Sequence, residues 1–117
     1  MKIPFKKQEE QLKEAAKKRG LKVQSDRRLV KTGYAAAHPL SRHAPKLPTK
    51  AKTITYDPVH NKAPRKRVMN VRHEIVEFDE MKKRSKGKKL TQAQWDELYK
   101  KAHLIANRKQ RTVNAVR

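Results

Sequence analysis

The sequence predicts a mainly α-helical protein: a small two-helix unit with one short strand, set between an extended basic N-terminal arm and a basic C-terminal tail. Three observations lead there. Val68, Val71, Ile75 and Phe78 recur at helical spacing. Thr91 and Gln94 spell a helix-capping box ahead of Trp95, Leu98, Tyr99, Ala102 and Ile105. Residues 21 to 52 hold Pro39, Pro45 and Pro48 and keep neither a helical nor a strand period.

In chain order, residues 5 to 19 read as a first helix within a segment 1–20. Glu9 and Lys13, then Glu14 and Lys18, stand four apart, and Gly20 supplies the stop. Phe5, Leu12, Ala15 and Ala16 form only a narrow apolar stripe, so this helix is expected to be marginal alone or held by a partner.

Residues 21 to 52 read as the extended arm. Between Arg27 and His73 there are twelve Lys or Arg and a single acid, Asp57, and such arms order on binding. Tyr34 in the arm would stack on a base or anchor packing. Thr53-Ile54-Thr55-Tyr56-Asp57 alternates and is β-branched, which predicts a short strand stopped by Pro58.

A second helix is expected from Arg65 or Lys66 to about Arg84, then a basic loop through Ser85, Lys86 and Gly87, then the capped third helix. Residues 53 to 110 are thus expected to be the only independently folding unit, with 111–117 a basic tail.

Charge bounds the function. The 117 residues carry 32 Lys and Arg against 11 Asp and Glu, a formal charge of +21, with 35% hydrophobic residues. Solubility needs a net magnitude of only about 2 to 8 in a small domain, so the surplus points to a polyanion. Nucleic acid is the expected partner, bound without sequence preference, because no zinc-finger spacing or RNA-recognition aromatics are present. Lys46, Lys50, Lys52, Arg65, Lys66 and Arg67 are the expected phosphate contacts.

The same reading expects protein partners in a larger assembly and no membrane. No run approaches about 18 apolar residues, and the N-terminus lacks the apolar core of a signal peptide. A cytoplasmic or virion-associated setting follows as the expectation. There is no cysteine, so disulfides, thiolate metal sites and thiol nucleophiles are excluded. No glycine-rich loop marks a nucleotide site.

One constellation has metal chemistry in it: His73-Glu74-Ile75-Val76-Glu77 on the second helix. His73 and Glu77, four apart, lie one above the other as two ligands of one cation must. Zinc hydrolases built this way use an intervening Glu, here Glu74, as general base on a metal-bound water, and take a third ligand from elsewhere. His103 on the third helix is the natural candidate, and zinc is the cation such donors suit.

The pattern resembles the active-site helix of zincin-type peptidases, with Glu77 where their second His stands. His73-Glu74, Glu77 and Met81, followed by Tyr99, Ala102-His103 and Ala106, also resemble a short module of phage and mobile-element proteins, some of them head-morphogenesis proteins, over roughly residues 53 to 110. That likeness implies a virion or mobile-element setting and a vestigial metal site, while the charge leads to the expectation of a basic structural or accessory protein of a nucleic-acid assembly such as a phage particle or ribonucleoprotein.

The plain alternatives are equally readable. His73, Glu77 and Glu80 lie nearly opposite the apolar stripe, where an ordinary solvated face would also be polar. His103 would then be a half-buried histidine bonded to Glu74 or Glu77. His60 sits in the loop after the strand, and His38 and His43, beside prolines, read as arm residues. A third class of function is a protein-interaction module using the face of Trp95 and Tyr99.

Overall fold

The computed structural model describes residues 3–32, 34–39, 52–86, 88–112 and 115–116. Three helices carry the fold: α1 (Phe5–Lys18), α2 (Pro64–Ser85) and α3 (Gln92–Lys109). Three short strands accompany them: β1 (Lys22–Ser25), β2 (Ala36–Ala37) and β3 (Thr53–Tyr56), with a 3-10 turn at Arg27–Leu29.

The protein is mainly α-helical, as expected, but the strand is not alone. β3 is the centre of a sheet ordered β1-β3-β2. β1 runs parallel to it, pairing Val23 with Ile54, and β2 runs antiparallel, pairing Ala37 with Thr55. The chain around the expected arm is therefore built differently from the expectation: residues 21 to 39 contain β1, the 3-10 turn and β2, while 40–51 lie outside the described residues. Asp26 starts the turn by accepting from the backbone N–H of Arg28 at 3.0 Å.

The first helix is not left to an external partner either. It closes in a Schellman motif: Gly20 adopts φ +73°, Gly20 N–H donates to Lys17 O and Leu21 N–H to Ala16 O. The turn delivers Leu21 into the main core, where Leu12, Ala16 and Leu21 meet Ile54, Val68, Val71, Ile75 and Phe78. An ion pair seals the same seam, Arg19 bonding both oxygens of Asp79 at 2.7 and 2.8 Å. The narrow stripe suffices because α2 of the same chain covers it.

α2 is the central element. Pro64 opens it at a position where no backbone donor is needed, and Lys86 caps it at φ 49°. Val68, Val71, Ile75 and Phe78 face α1 and the sheet, while Met81 packs with Trp95 and Ala102 of α3. α3 begins on the expected capping box, with Thr91 and Gln94 bonded reciprocally. At the C-terminal end Val116 packs back on the main core, so the tail is tied down there rather than free-standing.

This sandwiching overturns the solvated-face reading of α2. Its second face is buried although polar: Glu74 is 6% exposed and Glu77 1%. A polar stripe on a helix signals solvent only when nothing packs on it, and here α3 and the segment after β2 do.

Candidate metal centre

Glu77 is the hub. Three imidazoles from three parts of the chain converge on its carboxylate. His73, one turn earlier on α2, places Nε2 3.0 Å from Oε2. His103 of α3 places Nδ1 2.9 Å from the same oxygen. His38, just after β2, places Nε2 3.0 Å from Oε1. The rings of His73 and His103 stand edge to face at 5.0 Å.

Of the three residues that the sequence nominates as ligands, all meet: His73, Glu77 and His103 offer donor atoms within 4.8 Å of one another. The expected hydrogen bond of His103 to an acid of α2 is present as well, and Glu77 is that acid. His38 is the residue that sequence reasoning missed. Its place beside Pro39 reads as part of the arm; in the fold its side chain is wholly buried and sits edge-on to Phe78. The available signal was the small-residue run Ala35-Ala36-Ala37, which lets the backbone carry His38 against α2.

Hydrogen-bond accounting makes the centre unusual. Gln110 Oε1 accepts from Nδ1 of His73 at 2.9 Å. The remaining nitrogen, Nε2, then faces a carboxylate oxygen, so it needs either a second proton or a cation between the two. An imidazole that donates through one nitrogen and offers the lone pair of the other is the usual arrangement of a metal-ligating histidine.

The two contacts to Oε2 of Glu77 are close to zinc-ligand spacing. Bonds of about 2.0–2.2 Å at tetrahedral angles put neighbouring ligand atoms about 3.3 Å apart. The contacts of 2.9 and 3.0 Å need to open by only a few tenths of an ångström to admit the ion. Room for a further ligand exists: a cavity of about 230 Å3 is lined by His73, Glu74, Glu77, Tyr99, His103 and Gln110 among others.

Electrostatics separate the two acids. Burial pushes the Glu77 carboxyl up, but hydrogen bonds from His38, His73 and His103 outweigh that and hold it well below the ordinary carboxylate range. Glu74 has no such cradle. Burial first, and then the charge of Glu77, push it well above its usual value. His73 Nε2 stands 3.9 Å from Oε2 of Glu74. Tyr99 is raised by burial and by the charges of Glu77, Glu74 and Tyr34. Tyr99 stacks between Trp95 and His103, at 4.9 and 5.4 Å, so α3 presents a ladder of rings ending at the centre.

The expected phosphate contacts lie elsewhere. Lys52, Arg65 and Lys66 are exposed. Arg67 is tied down instead, its guanidinium bonded to Glu9 at 3.0 Å and to the carbonyl of Lys62 at 2.7 Å. Lys46, Lys50 and His43 fall outside the described residues. His60 is exposed in the turn after β3, where Asp57 accepts from its backbone N–H, and it takes no part in the cluster. Tyr34 packs against Leu29 and Ala37 and lines the cavity, which places it as an anchor.

No protein-family model, curated protein or solved structure matches this chain.

Proposed function

We propose that the protein binds a zinc-class divalent cation through His73, Glu77 and His103. The observation that carries this reading is the convergence of two imidazoles from different helices on one oxygen of a buried carboxylate, with the first imidazole already donating its other N–H to Gln110. A cation there would draw the pKa of a bound water toward about 7. Glu74 lines the same cavity, the place that the zincin-type likeness gives a general base.

Cobalt(II) is the direct probe, because imidazole and carboxylate ligands give it visible absorption bands and it quenches nearby fluorescence. The single tryptophan, Trp95, is linked to His103 through Tyr99. Cobalt added to chelator-stripped protein is expected to produce the bands and quench Trp95, and His103→Ala to weaken both. No band and no quenching in the wild type would refute the reading.

A second function, attachment to nucleic acid without base preference, is favoured by how the fold spends its charges. Asp26, Asp57, Glu74 and Glu77, four of the eleven acids, are buried, whereas Arg72 is the one buried cation among the described residues. Solvent therefore meets a surface more positive than the composition suggests, and phosphate backbones are the polyanions that answer it. Lys52, Arg65 and Lys66 remain the nominated contacts among the described residues, in a basic accessory role within an assembly such as a phage particle or ribonucleoprotein. Retention on double-stranded DNA or RNA at low salt, lost as salt rises, tests it.

A further inference from the structure

We infer that the centre takes two divalent cations, with Glu77 bridging them; the inference rests on reading His73, Glu77 and His103 as ligands of the first. What points to it is the division of labour between the two oxygens of one carboxylate. Oε2 serves His73 and His103, at 3.0 and 2.9 Å. Oε1 faces the other way, to His38 Nε2 at 3.0 Å.

A second donor set therefore adjoins the first. Glu74 lies three residues before Glu77 on α2, hence on the same helix face. His38, Glu74 and Glu77 each offer a donor atom, and these all lie within 4.8 Å of one another. The two sets share Glu77 and nothing else. The first is two imidazoles and one carboxylate; the second is one imidazole and two carboxylates.

Charge argues for occupancy of the second position as much as geometry does. Two carboxylates on adjacent turns, 6% and 1% exposed, have lost most of their hydration and repel each other. One cation at His73 and His103 bonds Glu77 through Oε2 and reaches Glu74, 3.9 Å from His73 Nε2, by charge alone and without a ligand bond. A second, between His38, Glu74 and Oε1 of Glu77, satisfies both acids. Carboxylate-bridged pairs of this kind hold their ions about 3.5–4 Å apart. The approach is through the cavity, which Glu74 and Glu77 both line. In such a pair Glu74 coordinates a metal instead of accepting a proton.

The test is a metal count on the full chain, freed of nucleic acid by high salt and of metal by chelator, then dialysed against zinc or cobalt(II). The wild type is expected to hold two equivalents. His38→Gln, which keeps an N–H for Oε1 but removes the imidazole, is expected to hold one, as is Glu74→Gln; Glu77→Gln is expected to hold none. A wild type holding one equivalent, unchanged in His38→Gln and Glu74→Gln, would overturn the second position and leave the first intact. A wild type holding none would overturn both. Should a variant fail to fold, the cobalt protein decides: the paramagnetic resonance of the first ion should weaken through coupling as the second enters, and an unaltered signal contradicts the bridge.

Discussion

Nε2 of His38 stands 3.0 Å from Oε1 of Glu77, and this contact ties the end of β2 to the middle of α2 across 39 residues. Both side chains are essentially shut off from solvent, at 0% and 1% exposure. The contact closes the fold over the candidate centre, and its loss should be felt before any metal is added.

His38→Ala is expected to lower the stability of the metal-free protein by about 3 kcal/mol, because it strips a partner from a carboxylate that stays buried and ionised. His38→Gln should recover much of that by restoring a donor. Urea denaturation of the three proteins reads the difference, and an Ala variant within about 0.5 kcal/mol of wild type, the scale of an ordinary surface substitution, would contradict it.

Glu74 sets a pH dependence of definite sign. Its folded-state pKa lies above the unfolded value, so neutral Glu74 contributes fully below about 4.5 and that contribution is lost as the pH rises through the folded value. Metal-free Glu74→Gln should therefore be more stable than wild type at pH 7, with the gap closing below about pH 4.5. Glu77 runs the other way: its pKa is depressed, so its contribution is present above the ordinary carboxylate range and falls away in stronger acid. Thermal melts of Glu74→Gln against wild type from pH 3 to 8 check the first sign, and a gap that widens in acid would contradict it.

Zinc should stabilise the fold by mass action. At a hundredfold excess over its dissociation constant the gain is about 2.7 kcal/mol for one site. The melting temperature should rise on adding zinc, return on adding chelator, and rise less in His73→Ala and in His103→Ala. Equal rises in all three proteins would place the metal elsewhere.

Binding to nucleic acid should be indifferent to sequence and steep in salt. If about six phosphates are neutralised, affinity falls roughly a thousandfold between 50 and 200 mM salt. Replacing Lys52, Arg65 and Lys66 together should lower the slope of log affinity against log salt by about 0.9 for each contact removed. Arg67→Ala should cost stability rather than affinity, since Glu9 already holds that guanidinium. A flat salt response refutes this function.

Much of the helical framework was legible because its signals are local. The Gly20 stop, the Thr91 box and the Val68-to-Phe78 stripe each depend on residues within a few positions of one another. What stayed hidden depends on distant partners. β1 and β2 are short, and neither Lys-Val-Gln-Ser nor Ala-Ala carries an alternating pattern of its own. They are strands because β3 offers each of them an edge. The sheet then draws the chain around residues 21 to 39 into the fold and brings His38 to Glu77. Spacing nominates His73 and Glu77, the need of a zinc site for a third ligand from elsewhere nominates His103, and the packing of α3 on α2 is what closes them. The burial of Glu74 could not be read from a helical wheel, which shows which residues share a face and not what covers it.

The central claim is the cation at His73, Glu77 and His103, and the zinc content of the stripped and reconstituted protein tests it most directly. Wild type should retain at least one equivalent after gel filtration, and His103→Ala, whose side chain is the most exposed of the three ligands, should retain one fewer while keeping its fold. Wild type free of zinc, or a His103→Ala protein with an unchanged content, would contradict it.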